Sequence, residues 1–434
     1  MRCARTVRFV VTLVIALGLL WLHQSAGGYT VSAQGRRAQV PRLEVDPLWP
    51  QPLPNGWILG PVNGVAVDAQ DHVWIVQVGA AAIQPNERGP DNNPPTSTCC
   101  SAAPQVLEFD TAGNLIGHWG GSGQGFDWPL VPQGIAVDAR GNVIIGGAQA
   151  GHIDGRPDPA PARGRGAAAP PPPPVQRGEG EEPPPAAAGR AGRGGAVLPN
   201  QDAHVLKFTG MGQFVWQVGH PAKVDGPESP ATFNRPWGFY VDNAANEIYV
   251  ADLGNSRVVV VDAATGAYKR HWGAYGEKAD VAALPAYDPN GAPARQFRNV
   301  SCVKMAKDGM VYVCDRQNDR IQVFQKDGKF VKEGFVAKTT TGDGSVWDVA
   351  FSNDAKQQFM YVADGQDKTI WILQRETLEV LGNFGQGGRF PGTFYGVDGV
   401  AVDSKGNLYT AETLEGHRVQ KFVNRGMGPA PSQP

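Results

Sequence analysis

The chain has 434 residues, and 39 Lys and Arg against 41 Asp and Glu leave a formal charge of −2. Binding to a phosphate backbone needs a concentrated basic surface, so nucleic acid is excluded as a partner. The 56 glycines and 36 prolines suit many short strands joined by tight turns, and one biased insert inflates both counts.

The first segment reads as a processing signal. "MRCARTVR" is basic, "FVVTLVIALGLLWL" is apolar, and "VSA" at 31–33 offers small residues for cleavage, so residues 1–33 are assigned to a signal peptide. The apolar run is short for a membrane span, and an uncleaved anchor is the other reading of it. No later stretch is apolar enough to insert stably in a membrane. The mature protein is expected to be exported, to the periplasm or outside the cell, and to be a monomer.

Residues 34–61 include "QVPRLEVDPLW" (39–49), which could supply an outer strand missing elsewhere. From 62 onward one pattern recurs. "NGVAVDAQDHVWIV" (63–76), "QGIAVDARGNVIIG" (133–146), "WGFYVDNAANEIYV" (237–250), "SCVKMAKDGMVYVC" (301–314), "WDVAFSNDAKQQFMYV" (347–362) and "DGVAVDSKGNLYTA" (398–411) each hold two alternating runs around a polar turn. A third run such as "RVVVV" or "RIQVF" follows, and then an outer run such as "KRHWG". Six such copies predict an all-β, six-bladed β-propeller over 62–426. The last copy, ending at "RVQKFVNRG", lacks an outer run, and the segment at 39–49 is the candidate to close the ring.

Within the ring, residues 148–201 form a Pro/Ala/Gly-rich insert with nothing to bury, expected to be disordered. Residues 427–434 are read as a flexible tail. Four cysteines follow the signal segment. Cys302 and Cys314 flank the turn "AKDGM", so a cross-strand disulfide is one reading and buried free thiols another. Links from Cys99 or Cys100 to that pair stay open. In "ADLGNSR" and "CDRQNDR", Asp252, Asn255 and Arg257 match Asp315, Asn318 and Arg320. This recurrence points to side chains that tie the second-to-third strand connection to its neighbours.

Nearly all excess loop length falls on one face, which is the functional candidate. Counting back from the shared "VD" position gives one residue per copy at the channel mouth: Asn63, Gln133, Trp237, Ser301, Trp347 and Asp398, with Asp348 beside them. A polar ring with two aromatics suits a small ligand or a peptide end, and a solvent-filled tunnel is the alternative. No histidine falls in this ring, so zinc is not expected. Asp348 and Asp398 leave calcium open as a metal, and no other cofactor is indicated.

"GVAVDSKGNLYTAE" and "VYVCDRQNDRIQVFQKDGKFV" resemble NHL repeats. "ILGPVNGVAVD", "VPQGIAVDARGN" and "DRQNDRIQVF" resemble segments of the peptidyl-alpha-hydroxyglycine alpha-amidating lyase family. That resemblance implies a channel zinc held by three histidines, with an arginine and a tyrosine nearby, and release of glyoxylate. The histidine positions correspond to Gln133, Ser301 and Asp398, the arginine falls near Gln77 and the tyrosine near Leu253. None of those side chains is kept. The sequence thus points to an exported binding or scaffolding propeller for a peptide, protein or glycan. The alternative is an amidating-lyase-like or calcium-dependent hydrolytic enzyme.

Overall fold

Turn chemistry sets the strand spacing. Asp138 Oδ1 accepts the amides of Arg140 and Asn142, both at 2.9 Å, while Asn142 Nδ2 donates to Asp138 Oδ2 at 2.8 Å. Asp403 and Asn407 repeat the arrangement. Such side chains stand in for backbone partners and reverse the chain within a few residues. Between these turns, β-branched and aromatic residues alternate over runs of four to seven residues and pair as antiparallel strands.

A computed structural model describes residues 38–148 and 201–431. The segment read as a signal peptide and almost all of the Pro-rich insert lie outside the described residues. The described residues from Val40 onward belong to one compact unit. It opens with β1 (Gln39–Asp46) and the short β2 (Trp57–Ile58). The first blade begins with β3 (Val62–Val67) and β4 (Val73–Gln77). A loop carrying β5 (Ser101–Ala102), parallel to β2, leads to β6 (Val106–Phe109) and β7 (Leu115–Trp119). Blade two is β8 (Val131–Val137), β9 (Val143–Ala148), β10 (His204–Phe208) and β11 (Phe214–Gly219). Blade three is β12 (Pro236–Asp242), β13 (Glu247–Asp252), β14 (Arg257–Asp262) and β15 (Tyr268–Trp272).

Blade four follows as β16 (Val300–Met305), β17 (Val311–Asp315), β18 (Arg320–Phe324) and β19 (Phe330–Phe335). Blade five is β20 (Asp348–Phe351), β21 (Phe359–Asp364), β22 (Thr369–Gln374) and β23 (Glu379–Phe384). The last blade takes β24 (Val397–Val402), β25 (Leu408–Glu412) and β26 (Arg418–Pro429), and its fourth strand is β1, hydrogen-bonded beside β26. The protein is an all-β, six-bladed propeller. Strand β26 continues through 427–429, which the sequence reading gave to a flexible tail, because β1 supplies it with a partner.

The core is a set of seams between neighbouring blades. Tyr249, Val258 and Trp272 of blade three pack with Val300, Val311 and Phe324 of blade four. At the seam between first and last blades, Trp49 meets Tyr409 edge-on with centroids 5.0 Å apart. The first strands approach closely because they carry glycine. A Cβ on Gly134 would lie 2.1 Å from Trp237 O, and one on Gly238 would lie 2.4 Å from Ser301 O. Cys302 pairs with Cys314 in register across β16 and β17 and is joined to it, while Cys99 is joined to Cys100 in the loop of blade one.

Buried ion pairs fix the long connections. Asp252 and Arg257 are both 0% exposed; Arg257 Nε donates to Asp252 Oδ2 at 2.8 Å, and its remaining N–H groups reach the carbonyls of Ser229 and Thr232 at 2.8 Å. Asp315 and Arg320 repeat the pair in blade four. Replacing Arg257 with Met strands a buried carboxylate and should cost about 3–5 kcal/mol in urea unfolding. Removing the exposed Arg425–Glu44 pair should cost about 0–1 kcal/mol. Equal losses in the two variants would show that the buried pair has no special weight.

Candidate functional site at the ring axis

The starts of the six first strands converge. Asn63, Gln133, Trp237, Ser301, Trp347 and Asp398 line one cavity of about 30 Å³, joined by Asp348 and Lys304. All six are buried, and they are hydrogen-bonded across blades. Gln133 Nε2 donates to Asp398 Oδ2 at 2.8 Å and to Asn63 O at 3.0 Å. Asn63 Nδ2 donates to Pro132 O, and Thr413 Oγ1 donates to Asn63 Oδ1 at 2.7 Å. Ser301 Oγ donates to Trp347 O at 2.8 Å. The cavity has room for a water-sized occupant, whereas pockets for small organic ligands are roughly ten times larger. As arranged, the network latches blades one, two and six together at the axis.

Asp348 is likewise engaged. Its Oδ2 accepts Val400 N at 3.1 Å, its Oδ1 accepts Val349 N at 2.9 Å and lies 3.5 Å from Lys304 Nζ. Burial raises its carboxyl above the ordinary range, with Lys304 opposing. Among the described residues no third His, Cys, Asp or Glu joins Asp348 and Asp398 to make a metal site.

The cofactor expectation is overturned at a different place. Asp68, His72 and Glu108 bring one ligand atom each to within 4.8 Å of one another. Zinc was discounted because no histidine lies on the axis. His72 sits in the β3–β4 turn, and pairing of Trp74 with Glu108 across β4 and β6 carries that carboxylate to it from 36 residues away. Cross-strand register, not local spacing, assembles the cluster.

Just outside the axis cavity, at the long-loop end, the Arg316 guanidinium meets aromatic rings and that of Arg235 lies within its electrostatic range. Arg316 lies 3.5 Å from the Trp347 ring centroid and 5.8 Å from that of Trp237. Its Nε donates to Asp343 O at 2.7 Å, and Nη2 is 3.3 Å from Asp343 Oδ1. Arg235 precedes β12 with φ 56°, and its carbonyl accepts Leu253 N. Burial pushes its guanidinium down from the ordinary value; Asp252 opposes this and Arg316 adds to it. No hydrogen bond or ion pair holds the Arg235 side chain to any of the described residues. Beneath lies an apolar patch of Val78, Val131, Ala148, Trp237 and Leu253.

Neither arginine was singled out from the sequence. Arg316 was read as part of the repeated tile, yet its counterpart in blade three is Leu253, and that exchange was the available signal. Two other positions implied by the lyase resemblance are structural. Gln77 is buried and holds Gly60 N and Ala103 O, and Leu253 is part of the apolar patch.

The NHL repeat model matches residues 233–261. NHL repeat-containing protein 3 of Mus musculus is 26% identical over 181 residues, 41% of this chain and 44% of that protein. The Homo sapiens counterpart is 27% identical over the same shares. The match thus spans less than half the length of these curated relatives. Among solved structures, a streptogramin B lyase aligns with TM-score 0.43 and 11% identity over 89% of this chain and 98% of that one. A catalytically inactive virginiamycin B lyase from Staphylococcus aureus with quinupristin aligns with TM-score 0.41 and 12% identity over 89% of each chain.

The start of β8 is held by a buried acid. Asp202 Oδ1 accepts Leu130 N at 3.0 Å and its Oδ2 accepts Val131 N at 3.1 Å, anchoring the start of β8. Burial pushes its carboxyl from 3.8 up to about 7 against those bonds. The unfolded chain therefore releases this proton near pH 4 and the folded chain near pH 7. Between those values the folded state binds more protons, so this group's contribution to stability falls as pH rises and is level above 7. Asp202→Asn should remove that contribution, so stability relative to wild type should improve from pH 4.5 to 8 in urea melts. A pH-independent difference would mean that Asp202 is ionised throughout.

Proposed function

We propose that this chain is an exported propeller that captures a carboxylate-bearing ligand, such as a peptide C-terminus, on its long-loop face. The observation that carries the reading is the pair Arg235 and Arg316 beside an apolar patch. Arg316 pairs with Asp343, while Asp252, which acts on Arg235, is already paired with Arg257, so three guanidiniums share two acids and leave capacity for an anion. Guanidinium groups bind carboxylates through two parallel N–H donors. Trp237, Trp347 and Leu253 are buried and back the arginines from the protein side. The occupant is then recognised by its charged end on the arginines.

Isothermal titration with matched peptides ending in a free carboxylate or an amide tests this. The free acids should bind at least tenfold more tightly. Arg235→Gln and Arg316→Gln should each weaken the free acids by about 1.5–3 kcal/mol, roughly 10- to 150-fold, and leave the amides unchanged. Equal affinity for both peptide series would sink the reading.

A second reading, a metal-dependent lyase-like enzyme, is favoured by the Asp68, His72 and Glu108 cluster, whose donors are of the kinds used in catalytic zinc sites. It requires glyoxylate release from hydroxyglycine-ended peptides that stops on chelation. Binding without such release leaves the capture reading alone.

A further inference from the structure

We propose that Asp68, His72 and Glu108 form a zinc site on the short-turn face of blade one. It stands at the opposite end of β3 from the axis cavity and does not depend on the ligand-capture reading. His72 Nδ1 lies 2.8 Å from Glu108 Oε1 and 3.6 Å from Asp68 Oδ2. Ligand bonds of roughly 2.0–2.2 Å to zinc put tetrahedral donors roughly 3.4 Å apart. The three donors already bracket that spacing, so small rotations bring them onto one ion. His72 is 31% exposed, Glu108 17% and Asp68 7%, which gives an entry path and a fourth position for water.

Blades two and six show this corner with a lysine in place of the second acid. In blade two the turn places Asn142 where blade one has His72, and β10 carries Lys207 where β6 carries Glu108. Lys207 Nζ lies 2.9 Å from Asp138 Oδ2, so the corner neutralises itself. The last blade has Asn407 and Lys421 at the same two positions. Blade one replaces the lysine by an acid. Two carboxylates then face each other across one imidazole. A cation between them resolves that repulsion.

A third replacement makes room. Opposite Lys207 in blade two stands Trp216, but opposite Glu108 stands Gly117. A Cβ on Gly117 would lie 2.6 Å from Glu108 Oε2. The Asp68 carboxylate is also aimed from outside the cluster. Trp74 Nε1 donates to its Oδ2 at 2.9 Å, and the amides of Gln70 and His72 bond its Oδ1 at 2.9 Å. Orienting bonds of this kind typically carry 10- to 100-fold in metal affinity. The donor set, one imidazole with two carboxylates, suits zinc better than calcium, which takes six to eight oxygens.

The test uses the full mature chain, purified without a histidine tag and stripped with chelator. Zinc chloride titration should show one ion per chain and raise the melting temperature by a few degrees. His72→Asn with Glu108→Lys rebuilds the corner of blade two, so the fold should persist while zinc binding weakens at least about 100-fold. Trp74→Phe should weaken zinc roughly 10- to 100-fold with the ligands intact. No binding by the wild type overturns the proposal, and so does undiminished binding by the double variant. A melt that zinc does not move would leave the corner as a hydrogen-bonded contact of His72 with the two acids, and the zinc site would fall.

Discussion

The buried pairing of an acid with an arginine at the end of the second strand in blades three and four is the constraint on which the long-loop face depends. Asp252 with Arg257 and Asp315 with Arg320 have no solvent to stabilise either charge. Each is tolerable because every polar atom is given a partner. Asp252 takes Arg257, Asn255 and the amide of Asn234, and Asp315 takes Arg320, Asn318 and the amide of Arg298. The arginines hold loop carbonyls with their outer N–H groups. In blade six Glu412 and Arg418 do the same work, with Tyr395 N and Thr393 O as the loop partners. Each pair thus turns a long connection into a fixed surface, at the cost of a desolvation penalty that only complete pairing offsets.

Fixed loops give the two ends of the ring different character. At the axis the polar residues are consumed by one another, so the cavity behaves as part of the scaffold. Just outside it, Arg235 and Arg316 are positioned by backbone that the buried pairs hold, and their charge is not fully answered. An anion site needs that combination: cations that cannot relax towards the protein, and a dry surface beside them. Ligand capture would therefore depend on rigidity as much as on charge.

The propeller was legible because its determinants are local. Asp138 and Asn142 make their turn within five residues, and the alternation of β8 and β9 follows directly from it. The convergence of Asn63, Gln133, Ser301 and Asp398 was legible too, since one position per repeat must fall on one circle. The cluster of Asp68, His72 and Glu108 was not. Its members share no spacing, and only the register of β4 against β6 joins them. Arg316 was hidden differently: it lies inside a motif whose other members, Asp315, Asn318 and Arg320, serve the fold, and it was absorbed into their role.

This suggests where function should be sought in a chain of near-copies. Residues that recur in every blade solve a problem every blade has, such as closing a turn or neutralising a buried acid. A residue that breaks the pattern gives up that solution and must be compensated on the spot or used. Glu108 gives up the salt bridge that Lys207 makes with Asp138, and Gly117 gives up the packing of Trp216. Arg316 gives up the apolar fit of Leu253 and recovers part of it by stacking on Trp347. Compensation is partial in both places. A cation at the first site and an anion at the second would complete it, and these opposite demands arise from the same departure from symmetry.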